Sequence, residues 1–260
     1  MKMKMDSKMR GALLSAGVLL AVSSVVAAPI SYTSQYIPTA LPTTSGGTVE
    51  NPSWSYGSSG TATAEVAGGV LGASTMPAAG NQQYWEISST SGTSAAWNLD
   101  STVGATIDFT ISVQQSLNFG GGSPQILGGF NLFVSDNNYW ASLYFSLDQI
   151  SVWGSTISFS SAYDLTVDHT FRVAFQNGLL SLYEGSNATP IFSNIAMNAA
   201  GYQNFYWGDG SGGASGQYEL SHLGWNNTLA EFSAPIPEPT VSMLAVLGGL
   251  ALLWQRRKKV

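Results

Sequence analysis

The chain has 260 residues, of which 44% are apolar and only 9% charged, and it contains no cysteine. That rules out disulfides, thiol chemistry, cysteine zinc sites and iron–sulfur clusters. Between residues 28 and 236, 13 Asp and Glu face a single basic residue, Arg172, so this stretch repels phosphate backbones and a nucleic-acid partner is excluded.

At the N-terminus, Lys2, Lys4, Lys8 and Arg10 precede an apolar run from Ala12 to Val26, which ends in the small residues Ala27 and Ala28. Basic start, apolar run and small residues make up a secretory signal peptide. It is expected over 1–27, because cleavage after Ala28 would put Pro29 directly behind the scissile bond. Residues 28–60 read as an extended lead-in. Pro29, Pro38, Pro42 and Pro52 interrupt regular strands there, and one edge strand is expected near Trp54–Tyr56.

A β-sandwich domain is expected over 61–232. Ile107, Phe109, Ile111 and Val113 alternate with Thr106, Asp108, Thr110 and Ser112, the pattern of a half-buried strand. Phe130, Leu132 and Val134 form a second strand, whose polar face is spoiled by Phe133. Tyr139, Ala141, Leu143, Phe145 and Leu147 form a third, opposite Trp140, Ser142, Tyr144 and Ser146. Asp136-Asn137-Asn138 turns the chain between these two. Phe171, Val173 and Phe175 lead into Asn177-Gly178, a strong hairpin signal because both residues tolerate positive φ; Leu180 and Leu182 continue beyond it. Further strands are expected at 83–89, 156–161, 204–207 and 218–225. No stretch from 29 to 235 carries a helical stripe longer than two turns, so the fold class is all-β, a sandwich or barrel.

The order of features from Tyr139 to Trp225 resembles the concanavalin A-like jelly roll of laminin G, pentraxin and glucanase relatives. Tyr139-Trp140-Ala141-Ser142-Leu143 opens a strand. Tyr163-Asp164-Leu165 leads to His169-Thr170-Phe171-Arg172-Val173. The hairpin ends in Tyr183-Glu184-Gly185, and Phe205-Tyr206-Trp207-Gly208-Asp209-Gly210 precedes a strand ending Leu223-Gly224-Trp225. In that fold the residue at His169 pins the start of its strand.

Candidate chemistry is sparse. Retaining glycosidases need two carboxyls about 5–5.5 Å apart, and the glucanase relatives carry them on one strand at alternate positions. Glu86 and Glu184 have no acidic partner at i+2 or i+4, and there is no G-x-S-x-G elbow, so a non-enzyme is expected. His169 and His222 read as structural, with His222 on the parity of Tyr218 and Leu220. Asp136-Asn137-Asn138 and Asp209 offer hard oxygens to calcium, although turn formation explains both, and no other cofactor is expected. Aromatic residues on polar faces suit sugar rings. Trp140, Tyr144, Trp207 and Asp209 are the candidate glycan-binding set, with Tyr183 near them.

The C-terminus is organised in three parts. Pro237-Glu238-Pro239 is followed by an apolar run over 241–254 and then by Arg256, Arg257, Lys258 and Lys259. The run is short for a bilayer core of about 30 Å, and the basic end should stay cytoplasmic. Residues 233–260 resemble the PEP-CTERM sorting signal. The resemblance implies transient inner-membrane anchoring, recognition by an exosortase, and release to the outer surface or an exopolysaccharide matrix. The leading reading is a secreted, non-enzymatic envelope or matrix protein. Its alternatives are a lectin-like carbohydrate-binding module and a polysaccharide hydrolase with an unrecognised carboxylate pair.

Overall fold

The computed structural model describes residues 34–42, 54–77, 80–88, 99–118, 128–153, 158–160, 164–185, 189–201, 203–210 and 212–228, together with Tyr32, Trp97 and Asn187. The expected signal peptide, Pro237–Pro239, segment 241–254 and Arg256–Lys259 lie outside the described residues.

Among the described residues every regular element is a strand. In chain order these are β1 (Ser34–Tyr36), β2 (Ser55–Ser59), β3 (Thr63–Ala67), β4 (Val70–Ser74), β5 (Gln82–Ser88), β6 (Ala105–Asn118), β7 (Phe130–Asp136) and β8 (Tyr139–Phe145). There follow β9 (Gln149–Trp153), β10 (Ser158–Ser160), β11 (His169–Gln176), β12 (Leu179–Glu184), β13 (Phe192–Ala196), β14 (Asn198–Ala199), β15 (Gln203–Asp209) and β16 (Ala214–Asn226). They form two antiparallel sheets. The first runs β13-β12-β11-β6-β16-β4-β3, with β1 also against β16; the second runs β10-β9-β8-β7-β15-β5-β2, with β14 also against β8.

The period-two pattern explains the sandwich. Ile107, Phe109, Ile111 and Val113 of β6 are all fully buried, and their alternates point outward. Phe171, Val173 and Phe175 on β11 face the same way. From the second sheet, Leu132, Val134, Leu143, Phe145, Phe205 and Trp207 close the core. Phe109, Phe130, Phe145 and Phe171 lie 5.0–6.0 Å apart between ring centres. Elsewhere in the core Trp85 stacks on Trp207 at 4.7 Å and Trp97 on Phe205 at 4.4 Å, while Trp54 meets Phe205, Trp207 and Trp225 edge-on. Such pairs contribute about 0.5–1.5 kcal/mol each beyond area burial.

The turns follow their residues. Asn177 and Gly178 have φ of 50° and 73°, as a two-residue hairpin requires. Asn137 has φ of 77°, and Asp136 Oδ1 accepts from the backbone N–H of Asn138 and Tyr139 at 3.0 and 2.8 Å. This carboxylate oxygen is therefore used by its own turn.

Two sequence expectations are corrected. The sandwich begins before residue 61: the edge strand expected near Trp54–Tyr56 is β2, which ends the second sheet, β1 pairs with β16, Ser34 opposite Trp225, and Tyr36 and Trp54 are core residues. His222 does not share the parity of Tyr218 and Leu220. The register between β16 and β6 shifts between Leu220 and His222, and this bulge turns His222 outward while Leu223 and Trp225 return to the core.

Candidate carbohydrate-binding surface

On the outer face of the second sheet, register aligns Ser55, Glu86, Tyr206, Phe133, Ser142 and Trp153 in one row across six strands. Neighbouring strands lie about 4.8 Å apart and their side chains stand up from the sheet, so large flat side chains in adjacent strands stack. Tyr206 lies on Phe133 at 4.6 Å and 5°, and Phe133 on Trp140 at 5.6 Å and 20°. Tyr84 extends the line beyond Tyr206 at 5.5 Å.

Phe133 is hidden within this stack, at 6% exposure. Trp153 behaves differently. Its plane is turned 80° from that of Trp140, at 5.6 Å, and it is 41% exposed. Its aromatic surface is open at the end of the stack. Asn198, on β14, sits opposite Trp140 and its Nδ2 donates to the Trp153 carbonyl at 3.5 Å.

Beside the stack, in the next row of the same face, is a buried polar group. Asn131 Nδ2 donates to Ser142 Oγ at 2.7 Å and to the Leu143 carbonyl at 2.8 Å, while its Oδ1 accepts nothing. Tyr144 stands beside it in register and is 3% exposed. Burial pushes the Tyr144 hydroxyl above its ordinary range, with the Asp209 charge adding to the effect.

The four residues expected to bind glycan do not share a surface. Trp140 is half-buried on the outer face and Tyr144 is covered there. Trp207 has no exposed area; it faces the core because β15 directs odd positions inward and gives the outer face to Tyr206. Asp209 is 1% exposed and accepts a hydrogen bond from the Thr75 hydroxyl, whose oxygen also receives the Gly216 N–H. Its carboxylate ties β15 to the chain after β4. Tyr183 is on β12 of the first sheet, away from Trp140. Trp153 was missed because its isolated position at the end of β9 acquires meaning only through pairing with Ser142.

The histidines have structural partners. His169 Nδ1 meets Glu184 Oε1 at 2.7 Å and Nε2 meets the Asp164 carbonyl at 3.0 Å, so both ring nitrogens are engaged and the strand start is fixed. His222 packs on Tyr32 at 5.2 Å, and burial holds its pKa below the usual imidazole range, with Asp108 opposing. The lone Arg172 pairs with Asp108, Nε to Oδ1 at 2.5 Å and Nη2 to Oδ2 at 3.4 Å. No group of three or more His, Asp or Glu among the described residues is placed to hold a metal ion.

One carboxylate pair was not foreseen. Glu65 and Glu219 flank Gly72 in register on three adjacent strands and line a hollow of about 310 Å³ with Thr63, Ser74 and Gln217.

No protein-family model matches the chain, and no curated protein matches it. Solved structures similar to it include the Emp46p carbohydrate recognition domain in its metal-free form, at 13% identity over 75% of this chain and 97% of that one, with a TM-score of 0.44. The exoplasmic/lumenal domain of VIP36 in its Ca²⁺/Man2-bound form is 11% identical over 76% and 88%, with a TM-score of 0.41. A mutant of Trypanosoma rangeli sialidase displaying trans-sialidase activity is 12% identical over 72% and 29%, with a TM-score of 0.44.

Proposed function

We propose that this is a carbohydrate-binding module that holds neutral polysaccharide on the outer face of its second sheet and does no chemistry on it. The observation that carries the reading is the Trp153 ring, 41% exposed at the end of a stacked aromatic line. A sugar ring has one apolar face and a rim of hydroxyls. An exposed indole suits the face, and Asn198 beside it supplies an amide to the rim. The supporting stack fixes the Trp140 side of the platform before the ligand arrives, which lowers the entropic cost of binding.

Charge argues for a neutral glycan. The body carries 13 acids against one Arg, and that Arg lies on the other sheet, paired with Asp108. A uronate or sulfate would meet repulsion and, among the described residues, no Lys or Arg on that sheet. Export through a cleaved leader, sorting by the 233–260 tail and residence in an exopolysaccharide matrix belong to the same proposal and rest on the sequence of the two ends.

The test is affinity electrophoresis in gels cast with hydroxyethyl cellulose, xyloglucan, galactomannan or alginate. Retardation by at least one neutral polymer, lost in Trp153→Ala and absent with alginate, is expected. Equal mobility in every gel overturns the reading. Release of reducing ends from a retarding polymer, abolished by Glu65→Gln or Glu219→Gln, would make the protein a hydrolase instead.

A further inference from the structure

The first sheet carries a second concavity on its outer face, of about 280 Å³, at the β11–β12 hairpin. We infer that it is a separate binding site for a single uncharged sugar ring. The inference does not require that Trp153 bind anything.

The hollow exists because of a bulge. Between β12 and β13 the register steps from Leu180 opposite Ile195 to Leu182 opposite Phe192. Ser193 and Asn194 therefore oppose Ser181 alone. Asn194 takes φ of 57°, a left-handed conformation that Asn tolerates better than most residues. Its backbone N–H is satisfied by the Ser181 hydroxyl at 3.3 Å. Bulges are common beside binding sites because they redirect side chains and interrupt pairing.

The lining fits one chemical class. Ala174 and Ser181 keep the floor low. Tyr183 and Leu179 supply apolar walls, and Leu179 is 43% exposed. The polar groups are the amides of Gln176, Asn177 and Asn194 and the hydroxyls of Ser181 and Tyr183. Gln176 is already anchored, its Nε2 donating to the Thr102 carbonyl at 2.6 Å, so little side-chain freedom remains to be lost on binding. Among the described residues no carboxylate, Lys, Arg or His lines the hollow. The nearest charges along the strands are engaged elsewhere, Arg172 with Asp108 and Glu184 with His169. A volume just under the usual range for ligand sites, about 300–1,000 Å³, suits one pyranose ring better than a chain. An aromatic wall, an apolar lip and planar amides match a ring with an apolar face and neutral hydroxyls.

The experiment is a ¹⁵N-resolved titration of the full chain carrying Trp153→Ala, which removes the other surface. The probes are the methyl glycosides of glucose, galactose and mannose, with sodium glucuronate and cyclohexanol as comparators. At least one neutral glycoside should move the amide signals of Ala174, Ser181, Tyr183 and Asn194 saturably, and bind at least tenfold more tightly than glucuronate or cyclohexanol. Ser181→Trp, which fills the floor, should abolish the shifts. Tyr183→Ala, a milder surface change that covers the case in which Ser181→Trp does not fold, should weaken binding at least fivefold. Absence of shifts with every glycoside overturns the inference. So does equal binding of glucuronate or cyclohexanol, or unchanged affinity in a folded variant.

Discussion

Replacing Arg172 with methionine removes the one cation of the sandwich and leaves Asp108 beneath the surface. The Asp108 side chain is 3% exposed and that of Arg172 12%, so water replaces little of what is lost. Tyr32 also donates to Asp108 Oδ2 at 3.2 Å, but a phenol neutralises no charge. Breaking one side of a buried pair costs about 3–5 kcal/mol. For a domain of this size each kcal/mol corresponds to roughly 2–4 °C, so the melting temperature should fall by about 6–20 °C. The assay is urea unfolding followed by tryptophan fluorescence, with a thermal scan by circular dichroism. The double variant Asp108→Asn with Arg172→Met removes both charges, keeps an acceptor for Tyr32, and should lie within about 1–2 kcal/mol of the parent. A single variant within about 1 kcal/mol of the parent would show that the pair behaves as a surface ion pair. A double variant as unstable as the single one would show that the guanidinium matters for its packing rather than its charge.

Other consequences are equally direct. Trp207→Ala should destabilise by about 3–5 kcal/mol, whereas half-exposed Trp153→Ala, which loses its edge contact with Trp140, should cost about 0.5–1.5 kcal/mol; parallel urea titrations compare them. Burial pushes the Tyr36 and Tyr218 hydroxyls above their ordinary value of 10.0. The native state therefore keeps protons that the unfolded chain releases, and stability should decline as pH rises above about 10, with a shallower decline in Tyr36→Phe. His222 has the opposite sign. Burial holds its native pKa below the ordinary imidazole value of 6.5, so the unfolded state binds the extra proton and stability should fall as pH drops below about 6.5. A His222→Asn protein should lose that component of the acid slope; an unchanged slope would remove His222 from the account.

The strands with clean alternation were legible from sequence because burial on one face imposes period two. β6, β7, β8 and β11 are found where Ile107–Val113, Phe130–Val134, Tyr139–Phe145 and Phe171–Phe175 place them. The hairpin β3–β4 was missed, although Gly68-Gly69, with φ of 62° and 83°, is the turn signal that could have revealed it. β1 is three residues long and owes its place to β16, nearly two hundred positions away, which no local pattern encodes. The reversed parity of His222 comes from a bulge in pairing with β6, again a property of two strands together. The same reason limited the candidate surface. Trp140 was identifiable as an outer-face residue by parity, but the choice between Tyr206 and Trp207 depends on which face of β15 meets the core, and Trp153 reaches Trp140 only through the pairing of β9 with β8.

The central claim is that Trp153 binds a sugar ring. A calorimetric titration of the protein and of Trp153→Ala with the neutral polysaccharide that retards it most tests this directly, with both proteins shown by circular dichroism to be folded at the titration temperature. The account predicts measurable, salt-insensitive binding by the parent and at least a tenfold loss, about 1.4 kcal/mol, in the variant. Equal affinity in the two proteins would contradict it and move glycan binding, if present, away from the second sheet.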